Sequence, residues 1–160
     1  MNNQSLCTLS FIFDNKTDHM LFLQISEEGP LKRKHTGLKG EIGIAQDINK
    51  SALHAIRESG GPNVSDVVLR GVVKAINEEE QSSVIYFIYE SSKFTGELSS
   101  NSRGRLKWVD ILNVFNLQLE GIVEKIMPFL LDGESFFEGS IYLSSNEEVI
   151  SSDIRVCNSI

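Results

Sequence analysis

Apolar residues recur along this chain with two periods, and together they predict a β-rich protein with two amphipathic helices. Residues 6–13 and 20–25 are rich in β-forming side chains and flank a turn-forming segment at 14–18, which predicts an opening hairpin. Segments 64–76 and 84–89 flank a charged loop at 77–81, and two shorter strand candidates, 94–98 and 106–109, flank a turn-rich loop at 99–104. Segments 136–143 and 149–156 predict a terminal hairpin.

Two stretches have helical spacing instead. Between residues 47 and 59, Ile48, Ala52, Leu53 and Ile56 recur on one side of a helical wheel, and the glycines and proline at 60–62 supply a stop. Residues 117–131 predict a second helix that covers one face of the sheet, with Pro128 kinking it or ending its regular part. Residues 26–39, with the basic cluster 32–35, predict an exposed loop.

Single residues refine this picture. Gly71 predicts a bulge or a close backbone contact, and Trp108 is expected to anchor its strand in the core. A mixed sheet with helices on its faces accounts for the order of elements, in one domain that spans residues 1–160.

Net charge, apolar run length and cysteine content argue against several classes of function. The net charge of −7 argues against a nucleic-acid partner, because phosphate neutralisation needs a basic surface. No apolar run is long enough for a bilayer span, and the N-terminus has no cationic leader, so we expect a cytoplasmic protein without a membrane partner. Cys7 and Cys157 form no metal-binding pattern, and we interpret both as reduced thiols.

The segment from residue 40 to residue 62 resembles the signature of the Nudix family, G-x5-E-x7-R-E-U-x-E-E-x-G-U, where U is apolar. Aligned without gaps, the first glycine, the apolar position, one glutamate of the pair and the final glycine survive as Gly40, Ile56, Glu58 and Gly61. The other signature positions hold Gln46, His54, Ala55, Ser59 and Pro62. Segments outside this signature resemble the corresponding segments of MutT-like members of the family. They are residues 36–40, 67–73, 94–98, 106–109 and 126–130. The resemblance implies an α+β fold, a Nudix-like α/β/α sandwich around a mixed β-sheet.

The resemblance also implies a chemistry that this chain has largely lost. In the family, glutamates three and four residues apart on one helix face hold Mg2+ or Mn2+ against a diphosphate. Here the corresponding trio is Ala55, Glu58 and Ser59, so one formal negative charge remains where the family has three. Arg103 stands in the loop where many relatives carry a further glutamate. We therefore expect weak or no pyrophosphohydrolase activity and, at most, weak metal binding at Glu58.

Three hypotheses follow from this comparison. In the first, the pocket binds a nucleotide or other phosphate-bearing small molecule, with candidate ligand-binding residues Lys39, Gly40, His54, Arg103 and Arg105. In the second, the chain is an active hydrolase of a nucleoside diphosphate-linked compound with an unusual Mg2+ or Mn2+ site that recruits Glu58, Glu41 or Glu97. In the third, the scaffold is a protein-interaction module. A homodimer is left open.

Overall fold

We analysed a computed structural model of the chain, which describes residues 3–99 and 102–157. Met1 and Asn2, and also Ser100 and Asn101 of the turn-rich loop expected at 99–104, lie outside the described residues. The helices are α1 (Ile48–Glu58) and α2 (Gly121–Leu131), with a 3-10 helix at Ile111–Asn116. The strands are β1 (Asn3–Asp14), β2 (His19–Ile25), β3 (His35–Thr36), β4 (Leu38–Glu41), β5 (Asn63–Val64), β6 (Val68–Asn77), β7 (Ser82–Ser91), β8 (Phe94–Thr95), β9 (Gly104–Asp110), β10 (Phe136–Leu143) and β11 (Val149–Cys157).

Nine of these strands form one mixed sheet in the order β11-β10-β6-β7-β1-β2-β3, with β4 paired to β1 and β9 paired to β2. β1 runs parallel to β7, and β10 runs parallel to β6, whereas the other pairings in this sheet are antiparallel. The expected opening hairpin is confirmed, and Phe13 pairs with Met20. Beyond that point β1 and β2 diverge, because β4 pairs with β1 while β9 and β3 pair with β2.

The chain crosses from β2 to β1 at Gly37, between β3 and β4. A side chain at Gly37 would meet the carbonyl oxygen of Ser10 at 2.7 Å and the ring of Phe11 at 2.9 Å, so only glycine fits. The crossing creates the open space between the two diverging strands in which the cleft described below lies.

Each face of the sheet is covered by one helix. On one face α2 buries Ile122, Val123, Ile126, Met127 and Leu130 against residues of β1, β6 and β10. On the other face α1 packs Ala52 and Ile56 against Ile12, Leu21 and Leu38. The two clusters draw on alternate residues of β1, as strand geometry requires. The fold is therefore α+β, an α/β/α sandwich around a mixed sheet, as expected.

Three other features of the sheet agree with the sequence predictions. The β6–β7 register shifts between Leu69 and Gly71, and a side chain at Gly71 would meet the Phe137 ring at 2.5 Å, so bulge and close contact coincide. Trp108 stacks on Phe94, with 5.2 Å between the ring centroids, and packs against the α1 side of the core. The terminal hairpin forms between β10 and β11.

Two sequence predictions are wrong, the start of the second helix and the end of the exposed loop, because the segments concerned pair with each other. The second helix begins at Gly121, not at residue 117, because residues 118–120 are extended and bond to His35. The His35 amide donates to the Gln118 carbonyl at 2.7 Å, and the Glu120 amide donates to the His35 carbonyl at 3.0 Å. His35 is therefore buried in β3, so the expected exposed loop at 26–39 ends at residue 34. The helix also continues past Pro128 to Leu131, where buried Leu130 packs beyond the proline.

The expected long strand at 64–76 is divided into β5 and β6. No helix in the part of the chain that the structure describes is long and apolar enough to cross a membrane.

Candidate ligand-binding cleft

Both ends of α1 are fixed by local sequence. Asp47 caps the helix, and its carboxylate accepts a hydrogen bond from the Lys50 amide at 2.9 Å. At the other end Gly60 adopts φ +84°, and the Gly61 amide donates to the Ile56 carbonyl at 2.9 Å, which closes the last turn. The capping places the positions of the family's carboxylates, Ala55, Glu58 and Ser59, in that last turn.

Two of these three positions face the sheet, and the third faces solvent. Ala55 and Ser59 are each 4% exposed and lie against the sheet side of the helix, where a side chain at Gly40 would overlap the Ala55 methyl group. Glu58 points outward, with 67% of its side chain exposed and its Oε1 3.8 Å from His54 Nε2. The remaining acid of the trio therefore lies on the solvent side of α1, and the buried side offers a methyl group and a hydroxyl group.

Gln46, at the position of the family's first glutamate, closes the loop before α1. Its Oε1 accepts a hydrogen bond from the Gly43 amide at 2.7 Å.

A cleft of about 500 Å³ opens beside this end of α1, where β1 and β2 diverge. The cleft is lined by residues of β2, of the segment 27–31 and of the β3–β4 crossing, together with single residues from the C-cap of α1, the β8–β9 loop and the β10–β11 turn. The lining residues are Leu23, Ile25, Glu27, Glu28, Gly29, Pro30, Leu31, Thr36, Gly37, Lys39, Ser59, Arg103 and Glu147. This volume lies within the usual range for a small-molecule site, about 300–1,000 Å³.

A shielded ion pair joins Lys39, which lines the cleft, to Glu120. Lys39 Nζ lies 2.6 Å from Glu120 Oε2, and the Thr36 hydroxyl donates to Glu120 Oε1 at 2.8 Å. The Glu120 side chain is 6% exposed and that of Lys39 is 26% exposed. Burial by itself lowers the pKa of the Lys39 ammonium, but the Glu120 carboxylate and Tyr86 outweigh it, so the pKa lies above its ordinary value. Lys39 therefore stays charged and is tied to an acid of its own chain.

Acidic side chains outnumber basic ones around the cleft. Glu27, Glu28 and Glu147 line it together with Lys39 and Arg103. Burial raises the pKa of the Glu147 carboxyl, the nearby Glu120 carboxylate raises it further, and Lys39 partly opposes both. Arg103 Nη1 also donates to the Lys39 carbonyl at 3.4 Å, which ties the β9 side of the cleft to β4.

The structure separates the candidate ligand-binding residues. Lys39 and Arg103 line the cleft together, and Gly40 lies next to it against α1. Of the described residues that line the cleft, none is His54, Arg105 or Glu58. Arg105 lines a separate depression with Lys32 and Arg33, and His54 stands on the outer face of α1.

Sequence reasoning missed the acids of the cleft. Glu120 reaches Lys39 across 81 positions of sequence, and Glu147 comes from the β10–β11 turn. Neither belongs to a local motif. The only sequence signal for Glu120 is its position immediately before the apolar helix α2.

The residues at the family's metal position do not fit a tightly held divalent cation. Mg2+ and Mn2+ prefer several oxygen ligands, mostly carboxylates, around one point. Ala55 supplies no oxygen, Ser59 supplies a neutral hydroxyl and Glu58 is directed to solvent. Over residues 3–99 and 102–157 there is no group of three or more His, Cys, Asp or Glu side chains that could hold a metal ion.

Sheet order, the two flanking helices and the cleft at the end of α1 define an α+β protein with a candidate ligand cleft beside a helix terminus. No protein-family profile matches the chain. A curated relative, the uncharacterized Nudix hydrolase YvcI of Bacillus subtilis, is 22% identical over 116 residues, which cover 70% of this chain and 73% of the relative.

Solved structures agree with that relationship. The MutT protein of Bacillus halodurans superposes with a TM-score of 0.84 at 19% identity, over 94% of this chain and 97% of that one. A Nudix hydrolase from Nitrosomonas europaea gives 0.68 at 14% identity, over 82% and 91%. The Nudix domain of Shewanella oneidensis NrtR, crystallised with ADP ribose, gives 0.65 at 12% identity, over 82% and 88%. The chain therefore has the fold of these MutT and Nudix structures, and its sequence is similar to that of a Nudix hydrolase.

Proposed function

We propose that this protein binds a nucleotide or another phosphate-bearing small molecule in the cleft without a divalent metal, and that its hydrolase activity is weak or absent. The observation that carries the proposal is a nucleotide-sized cleft, about 500 Å³, beside a helix end that has lost two of three carboxylates. Catalysis in the family needs the metal to neutralise phosphate charge and to orient or activate water. Without ligands for that ion, this chain retains the means to bind but not the means to hydrolyse.

Cations of the chain replace the missing metal in this proposal. Arg103 lines the cleft and presents a planar fork of donors, which suits a phosphate group bound through two hydrogen bonds. Lys39 contributes less, because Glu120 already neutralises it at 2.6 Å. The complex of the NrtR domain with ADP ribose supports a ligand of this class, since that molecule carries a nucleotide and a diphosphate.

The acids around the cleft restrict the ligand further. Glu27, Glu28 and Glu147 leave the lining with an excess of negative charge over Lys39 and Arg103. A triphosphate without metal would meet more of this repulsion than a less charged ligand, so we expect ligands with one phosphate or a diphosphate ester to bind more tightly than free triphosphates.

Calorimetry tests the binding. The chain is titrated with ADP ribose, nucleoside monophosphates and nucleoside triphosphates, each in EDTA and in Mg2+. We expect heat with at least one ligand in EDTA, and a loss of about tenfold in affinity for Arg103→Gln, because one charge-assisted bidentate contact disappears. Arg105→Gln is the matched control, since Arg105 lies in the separate depression. No heat under either condition would overturn the binding proposal.

Activity is tested separately. Pyrophosphate and orthophosphate release from the same ligands is measured for the native chain, for Glu58→Ala and for Ala55→Glu/Ser59→Glu. We expect the native chain to match Glu58→Ala and the double variant to gain Mg2+-dependent release. Both replaced side chains are nearly buried, so the two new carboxylates repel each other until a metal ion binds them. Thermal stabilisation of the double variant by Mg2+ is therefore a second readout. Metal-dependent release by the native chain above the Glu58→Ala level would contradict the proposal.

A further inference from the structure

Four strands of the main sheet, β3, β4, β9 and β11, each pair with one neighbouring strand over the residues that the structure describes. β3 is two residues long and is covered by residues 118–120 through the hydrogen bonds to His35, and β4 is four residues long. β9 contains Gly104 and Lys107, whereas β11 is the longest of the four at nine residues and pairs with β10 on one side. Along its other side the strand presents backbone donors and acceptors that a further strand can bind.

β11 lacks several of the features that usually block such pairing, although it carries two charged residues and an irregular end. Its sequence from residue 149 to residue 157 contains no proline, lysine or glycine. The irregularity in its ladder falls at one end, between Tyr142 and Leu143 of β10, so the segment 151–157 runs in regular register. The regular segment is therefore a suitable template for an added antiparallel strand.

The charges on β11 are self-complementary in one register. Asp153 and Arg155 point to the same face of the sheet, because they are two residues apart, and Arg155 Nε binds Glu138 Oε1 on β10 at 2.7 Å. In an antiparallel pair of two β11 strands centred on Ile154, Asp153 of each copy faces Arg155 of the other. Pairs centred on Asp153 or on Arg155 place like charges opposite each other, which is unfavourable.

The other face of the strand fits the same register. Ile154 packs partly against the α2 side of the core, and Val156 is 42% exposed. Centred on Ile154, the pair brings the two Ile154 side chains together and covers each Val156 with Ser152 of the second copy. We propose that this protein forms a homodimer in which β11 pairs antiparallel with β11 of a second copy about a two-fold axis at Ile154.

The dimer joins two sheets into one continuous sheet and leaves the cleft of each copy open. Its contact is a single strand pair, which is small for a protein interface, so we expect dissociation in the micromolar range.

Sedimentation velocity tests the proposal over about 1–300 µM protein, a range that brackets micromolar dissociation. We expect a monomer–dimer equilibrium for the native chain. Asp153→Arg and Arg155→Asp each place two like-charge pairs across the axis, so each alone weakens dimerisation by at least about tenfold. A mixture of the two variants restores opposite charges at both pairs, and we expect it to form a heterodimer.

Asp66→Arg, an equal change of charge on the exposed segment between β5 and β6, is the control and leaves dimerisation unchanged. A native chain that stays monomeric throughout this range overturns the proposal. So does a dimer that is insensitive to both substitutions, or two folded variants whose mixture fails to associate. Circular dichroism confirms that each variant is folded, and if one variant fails to fold, the other measured alone against the native chain gives the decision.

Discussion

The shielded pair of Lys39 and Glu120 should stabilise the cleft as a unit. At 2.6 Å, Coulomb's law with an effective dielectric of about 20 gives a gross attraction of about 6 kcal/mol. Desolvation of two charges offsets several kcal/mol of this, so we expect a net coupling of about 1–3 kcal/mol. Lys39→Met should cost about 2–4 kcal/mol, because the Glu120 carboxylate, 6% exposed, then loses its ammonium partner and keeps the hydrogen bond from the Thr36 hydroxyl.

A double-mutant cycle measures this coupling. Urea denaturation of the native chain, Lys39→Met, Glu120→Gln and the double variant gives four free energies of unfolding. Glu120→Gln should cost less than Lys39→Met, because the Lys39 ammonium is 26% exposed and can regain water. Lys125 and Glu124 supply the control cycle, since that pair is solvent-exposed and 3.6 Å apart and should couple by less than about 1 kcal/mol. Additivity of Lys39→Met and Glu120→Gln within about 0.5 kcal/mol would refute the argument.

Two further predictions concern Glu147, which lines the cleft, and Gly40, which lies next to it. Because the folded pKa of Glu147 lies above its ordinary value of 4.5, its contribution to stability is full below that value and is lost as the pH rises through the folded pKa. Glu147→Gln should therefore gain stability relative to the native chain between pH 4 and pH 7, and a difference that does not change with pH in urea denaturation would argue against this. Gly40→Ala should cost about 1–3 kcal/mol through overlap with the Ala55 methyl group, and Ala55→Gly should recover part of it. Strict additivity of these two substitutions in thermal unfolding would show that the β4–α1 contact is looser than described.

Local sequence patterns predicted the elements whose burial depends on near neighbours. The β-forming side chains at 6–13 predict β1, which begins three residues earlier, at Asn3, and ends at Asp14. The helical spacing at 47–59 and the stop at 60–62 predict α1, Ile48–Glu58, within one residue at each end. The segment at 117–120 was expected to be helical, because its apolar residues fit a helical wheel. Its backbone instead bonds to His35, more than 80 positions earlier in the chain, and no local pattern encodes that pairing.

The residues of the cleft were likewise predicted only in part. Charge and resemblance predict Lys39 and Arg103 as ligand-binding residues, but the sequence does not show whether Arg103 or Arg105 faces the cleft. In the structure Arg105 lies in β9, pairs with Gln24 and lines another depression. Glu120 was missed because its role depends on its distance from Lys39 and not on its sequence neighbours. The resemblance gave the positions Ala55, Glu58 and Ser59, and only the structure shows that Glu58 faces solvent.

The central claim, that α1 cannot hold a divalent ion firmly, is tested most directly by titrating the native chain with Mn2+ and following free Mn2+ by electron paramagnetic resonance. The account predicts no saturable site at metal concentrations up to about 1 mM, because one outward carboxylate replaces the oxygen cluster that such an ion requires. A one-to-one site well below that concentration, abolished by Glu58→Ala, would contradict it.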